Sequence, residues 1–316
     1  MRGSRRAVEG AAAVAVLAAG MLAGCGTRAD RTAGGAADSA YVAAIESWHA
    51  ERAASLREPD GWFSLAGLFW LVPGENPFGA AESNRLVFPE GKAPARAGSF
   101  VRQGDAVTLR VRPGVPVTCG GRPVTRMALR ADADSGGPSG LALGPLRFHV
   151  IRRGGRVGVR LKDLESPERA RFTGLEYYAV DPGWRLRARF EPYDPPKPVA
   201  ITNVLGDVSE SESPGAVVFE RGGRTYRLDP ILEEGSDELF LIFADSTNGR
   251  GTYGAGRFLY AKPPGPDGIL ELDFNRAYNP PCAFTPFATC PLPPPQNRLP
   301  LAIAAGEKDY RGGAHR

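Results

Sequence analysis

The stretch Asp273–Pro300 constrains the fold of this chain more than any other. It reads D-F-N-R-A-Y-N-P-P-C-A-F-T-P-F-A-T-C-P-L-P-P-P-Q-N-R-L-P. Proline fixes φ and removes a backbone donor, which excludes the run from helix interiors and central strands. Phe274, Tyr278, Phe284, Phe287 and Leu292 are nevertheless too apolar for a solvated tail. The expectation is an ordered irregular loop packed on a body, the kind of segment on which binding and catalysis concentrate.

The rest of the chain reads as strands. With 40 Gly and 29 Pro, short alternating runs are separated by frequent turn signals. In the first half the runs are Phe69–Leu71, Arg85–Phe88, Gly98–Arg102, Ala106–Val111, Val117–Cys119, Val124–Leu129, Ser139–Leu143, Arg147–Arg152 and Val157–Leu161. Gly154-Gly155 marks a hairpin between the last two. A short helical turn at Ser166–Arg169 and an aromatic cluster follow. Arg185–Phe190 alternates as a half-buried strand, and Pro192–Pro198 reads as a polyproline break. Beyond it come Val199–Val204, Gly206–Ser211, Ala216–Glu220, Arg224–Asp229, Leu239–Ala244, Gly256–Tyr260 and Gly268–Asp273, with Leu301–Ala304 as a closing strand. The fold class is therefore all-β: a sandwich-like first part over 40–165, opened by a short helix, and a second β-rich part over 166–308. A tail of 309–316 follows. The helix spans Ser39–Leu56, with Tyr41, Ile45, Trp48 and Leu56 on one side. His49 reads as a packing residue.

Arg2, Arg5 and Arg6 precede an apolar run, Ala11–Leu22, which ends in Leu-Ala-Gly-Cys. Basic residues, an apolar core and small residues at the end define a secretory leader over 1–24. Cys directly after Leu-Ala-Gly predicts lipidation of Cys25, hence anchoring to a membrane rather than spanning it. Residues 25–39 then read as a flexible tether. The expected location is the bacterial cell envelope, with the domain outside the cytoplasm. The formal net charge is +4, and three of the arginines lie in the leader, so the remainder is near neutral and nucleic acid is not an expected partner.

Cys282 and Cys290 fall inside the proline-rich loop. An oxidising compartment allows a disulfide between them; two packed thiols or a metal site are the alternatives. The spacing of seven residues and the scarcity of His do not follow metal-site patterns, and neither a metal nor another cofactor is expected. No phosphate-loop, dinucleotide or nucleophile-elbow motif is present. Polar residues at strand ends and in the loop form the candidate pocket: Asp245, Asn248, Tyr253, Arg257, Asp273, Asn275, Tyr278, Asn279, Asn297 and Arg298. The same groups could equally satisfy the backbone of a loop that lacks ladder bonds.

The loop, with the upstream D-E-L-F-L-I-F-A-D-S-T-N-G-R-G-T-Y-G-A-G-R-F-L-Y and F-E-P-Y-D-P-P-K-P-V, closely resembles the uncharacterised prokaryotic family known as domain of unknown function 1684. The resemblance extends over Ile45–Lys308 and implies no activity. The first half is also similar in layout to forkhead-associated sandwiches. There Phe78-Gly79 is followed by Ala80 where that family has Arg, so phosphopeptide binding does not carry over. The expected function is a lipid-anchored envelope protein that binds a small polar molecule or a partner segment through the loop. The alternative is a hydrolase that uses Asp245 and Asp273 as an acid–base pair.

Overall fold

The computed structural model describes residues 27–233 and 235–312, with side chains from Asp38 onward. The leader and Cys25 lie outside the described residues. The chain divides after Ala40, and the body Tyr41–Arg316 carries the β structure. The first element of that body is the C-terminal part of helix α1 (Thr27–Arg57). The helix begins upstream of the expected Ser39, inside the stretch read as a tether.

The fold is mostly β. In chain order the strands are β1 (Leu65–Trp70), β2 (Gly74–Gly79), β3 (Leu86–Val87), β4 (Gly98–Gln103), β5 (Ala106–Val111), β6 (Thr118–Cys119), β7 (Arg122–Pro123), β8 (Arg126–Leu129), β9 (Leu141–Leu143), β10 (Leu146–Arg153) and β11 (Arg156–Asp163). They form a six-stranded sheet, β1-β11-β10-β9-β6-β7, and a five-stranded sheet, β3-β2-β4-β5-β8. Gly154-Gly155 closes the β10–β11 hairpin, with Arg153 opposite Arg156. The two sheets share one apolar core in which Phe78, Phe88, Phe100 and Phe148 meet at ring centroid distances of 5.0–6.1 Å.

After a short helix α2 (Pro167–Arg171), the second set is β12 (Arg185–Thr202), β13 (Val208–Arg221), β14 (Arg224–Leu228), β15 (Ile231–Leu232), β16 (Leu239–Phe243), β17 (Arg257–Ala261) and β18 (Ile269–Asp273). A sheet β14-β13-β12-β18 accompanies a smaller one, β15-β16-β17. β16 reads L-F-L-I-F and is buried throughout, because it is covered on both faces. Leu239, Leu241 and Phe243 enter the core shared with β12, β13 and β18, whereas Phe240 and Ile242 face a second cluster with Phe258, Ala288 and Cys290.

Two expectations are corrected by the structure. Pro192–Pro198 is not a break but lies within the single long strand β12. The pairing with β13 jumps between Pro192 and Lys197, so Pro195 and Pro196 fall at a bulge, where a missing donor costs no ladder bond. Leu301–Ala304 is irregular rather than a strand. Its Ile303 N–H donates to Asp245 Oδ1 at 3.2 Å instead of to a neighbouring strand. Among the described residues no helix is long and apolar enough to cross a membrane.

Candidate functional site

The proline-rich loop carries few ladder bonds, so its polar groups find side-chain partners. Asp273 accepts the backbone N–H of Asn275 at 3.0 Å and caps the turn Phe274–Arg276. Asn275 donates to Asp181 O at 2.9 Å and accepts Asp181 N–H at 3.0 Å. Asn297 does the same for Asp229, accepting its N–H at 2.7 Å and donating to its carbonyl at 2.9 Å, and also reaches Ile242 O. These amides stand in for the missing strand.

Helix α1 lies against this frame. From one helical face Tyr41 donates to Asp273 at 2.8 Å, His49 Nε2 lies 3.1 Å from Asn275 O, and Arg52 donates to Asn279 O at 3.2 Å. His49 also stacks on Tyr177 with ring centroids 3.6 Å apart. Burial holds its imidazole below the ordinary range, hence neutral. Arg52 pairs with Glu307 at 3.1 Å and lies over the Tyr278 ring at 4.8 Å. Glu307 is fully buried; burial raises its pKa, against the pull of Arg52 and the Asn279 N–H.

Asp245, Asn248 and Arg257 form a second, separate knot. Asp245 accepts Arg257 Nη2 at 2.7 Å, and both side chains are fully buried. Arg257 also donates to the carbonyls of Ile303 and Ala305, which fixes the chain after the loop. Asn248 accepts Asp245 N–H and donates to Tyr253 O, closing the turn after β16. Asp245 and Asp273 therefore have no partner in common. Each carboxylate caps its own turn, Asp245 accepting Thr247 N–H and Asp273 accepting Asn275 N–H. Arg298 is exposed.

Of the ten sequence-predicted residues, Tyr278 and Asp273 border clefts. Tyr278 lines a cleft of about 520 Å³ with Trp48, Trp62, Phe240, Phe258 and Tyr260, floored by Ala288, Cys290 and Pro291. A neighbouring cleft of about 530 Å³ shares Trp48, Tyr260 and Tyr278 and is bordered by Asp273. The first cleft also holds Arg52, Arg153, Arg160 and Glu233. Arg52 is committed to Glu307, Arg153 to Asp132 at 2.7 Å, and Glu233 accepts Tyr260 Oη–H. Arg160 differs. It makes no ion pair among the described residues, donates only to Thr289 Oγ1 at 3.4 Å, and its buried Nε has no partner. Burial lowers its pKa, as does Arg153. Tyr260 and Tyr278 are both pushed above the ordinary phenol range, chiefly by burial.

Trp62, Arg160, Phe240, Phe258 and Tyr260 were not among the expected site residues. Each sits in a strand or turn whose sequence pattern accounts for it as core or solvated surface. Arg160 alternates with Val159 and Leu161 in β11, so only the register of β11 against β10 and β1 shows that its face meets the loop.

Cys282 and Cys290 are thiols in this structure. Each backbone N–H points at the other sulfur, Cys282 N to Cys290 Sγ at 3.1 Å and Cys290 N to Cys282 Sγ at 3.3 Å. Tyr253 donates to Cys282 O at 3.2 Å, and burial pushes its phenol up to about 12. Among the described residues no group of three or more His, Cys, Asp and Glu converges on one point.

No curated protein matches the chain. An uncharacterised protein of Haloarcula marismortui, solved by solution NMR, is 32% identical over 45% of this chain and 80% of its own, with a TM-score of 0.38. An FHA domain, from a study of phosphothreonine-dependent interactions, is 16% identical over 30% of this chain and 92% of its own, with a TM-score of 0.22. Residues 170–308, a narrower span than the expected Ile45–Lys308, match the family described as protein of unknown function DUF1684.

Proposed function

We propose that this chain is a lipid-anchored binding protein of the cell envelope that holds a small organic anion with a flat apolar body in the Trp48–Tyr278 cleft. The observation that carries the ligand class is Arg160, a cation on the cleft wall whose buried Nε lacks a partner. A buried donor without an acceptor costs stability, and a charged acceptor from a ligand would remove that cost. The aromatic walls suit a ring or short hydrocarbon body. The cleft volume of about 520 Å³ is in the range of small-molecule sites.

The test is titration of the full chain with aromatic carboxylates and their neutral amides, read by quenching of tryptophan fluorescence and by calorimetry. The carboxylates bind and the amides bind at least tenfold more weakly. Arg160→Gln lowers carboxylate affinity by roughly 10- to 100-fold, as expected for a hydrogen bond to a charged group worth about 1.5–3 kcal/mol. Equal binding of acid and amide, or unchanged binding by Arg160→Gln, defeats the reading. The anchor rests on the Leu-Ala-Gly-Cys25 pattern. Cells fed an alkyne-tagged fatty acid label the native chain and not Cys25→Ser, which moves to the soluble fraction; label retained by Cys25→Ser refutes the anchor.

A further inference from the structure

We infer that Cys282 and Cys290 form a dithiol–disulfide couple that exchanges electrons with low-molecular-weight disulfides at the edge of the cleft. The reciprocal N–H···S contacts place each sulfur within 3.1–3.3 Å of the other residue's backbone nitrogen. Both sulfurs thus occupy the same gap between the two backbones, the arrangement a disulfide requires. The two residues are held from different sides. Cys290 O accepts Val204 N–H from the β12–β13 connection at 3.0 Å, and Cys282 O accepts Tyr253 Oη–H at 3.2 Å. The segment between them is pinned by Phe284, buried against Phe63 and Tyr310. Each sulfur therefore already lies beside the other residue's backbone.

The pair is also reachable and chemically asymmetric. Cys282 is half-buried, whereas Cys290 is buried and lines the cleft. Hydrogen bonding from Cys290 draws the Cys282 thiol below its ordinary range, with a further contribution from Arg160, while the Cys290 thiol is raised. Cys282, the more exposed of the two, is the first nucleophile. Its thiolate attacks one sulfur of the incoming disulfide; that S–S bond breaks, and one half departs as a thiolate, leaving a mixed disulfide on Cys282. Cys290 then gives up its proton and attacks the Cys282 sulfur, forming the Cys282–Cys290 bond and expelling the second half as a thiolate. Two protons and two electrons leave the protein and convert the disulfide to two thiols. The couple does not require the ligand assigned to the cleft, although both involve Arg160 and the cleft wall at Cys290.

The test is to equilibrate the full chain in glutathione buffers of stepped oxidised-to-reduced ratio, quench with acid, tag free thiols with a maleimide and map each cysteine by mass spectrometry. The couple predicts that Cys282 and Cys290 lose their tags together in one transition, and that the peptide carrying both is lighter by two hydrogens. Cys290→Ser accumulates a glutathione adduct on Cys282, whereas Cys282→Ser forms an adduct on Cys290 at least tenfold more slowly. Arg160→Gln slows adduct formation on Cys282 several-fold at pH 7 and much less at pH 9, because at the higher pH the thiolate forms without help. Tags retained on both residues through the oxidised limit, loss of the two tags in separate transitions, or bonds formed only between chains overturn the inference.

Discussion

Arg257 shows how a residue that looks like chemistry becomes structure. Its guanidinium is fully buried, yet it faces Asp245 and two carbonyls rather than open space. Removing one member of a buried pair leaves an uncompensated charge, so Arg257→Met lowers stability by about 3–5 kcal/mol in urea denaturation. Adding Asp245→Leu to it recovers part of that loss, which a catalytic role for either residue does not require. His49 makes a prediction of opposite kind. Burial depresses its folded-state pKa, and Arg276 nearby acts in the same direction while Glu46 and Asp273 oppose it. The unfolded chain then binds the proton more readily. Stability from this group is intact above about pH 6.5 and falls as pH drops through the folded-state value. Thermal melts of His49→Gln should accordingly lose less stability between pH 7 and pH 5 than melts of the native chain. His149, also depressed by burial and by Arg160, remains to give the residual slope.

At the scale of elements, the consequential contact is helix α1 on the proline-rich loop. Tyr41, His49 and Arg52 satisfy loop groups that no strand reaches. Arg52→Ala exposes Glu307 and the Asn279 carbonyl together. Hydrogen exchange should then rise in 41–57 and 273–283 in concert, with β10 and β11 unchanged; a rise in the helix alone would contradict the coupling. Gly256 is a second point of dependence. Its φ is +103°, and a Cβ there would lie 2.7 Å from Phe243 O and press on Pro293. Gly256→Ala should lower the melting temperature by several degrees and loosen 291–299 before β17. Much of this level was legible in the sequence. The Gly-Gly hairpins, the apolar β16 and the ordered loop follow from turn chemistry and hydrophobic pattern. The long β12 was not, because proline signals a break and only the β13 register shows that Pro195 and Pro196 fall at a bulge. Little of the cleft was legible. Tyr278 announced itself in an unusual loop, whereas Arg160 and Phe258 follow ordinary strand alternation and acquire a role only from what packs opposite them.

For the molecule as a whole, the pairs that set the loop join distant parts of the chain. Tyr41 and Asp273 are 232 positions apart, and Arg52 and Glu307 are 255 apart. Cleft residues likewise come from α1, β10, β11, β16, β17 and the loop. No local stretch carries the site, which is why a motif search finds none. Removing 301–316 takes away Ile303, Ala305 and Glu307 at once. Such a chain should retain the β10–β11 exchange protection but lose that of 41–57, a pattern that limited proteolysis would also reveal. There is a temporal side to the long-range pairing. Synthesis runs from the first residue to the last, so the helix emerges long before its seat exists. Until Asp273 and Glu307 have emerged, Tyr41 and Arg52 have no carboxylates to donate to. The apolar stripe Ile45–Leu56 must wait through the making of all four sheets before the contacts that bury it exist.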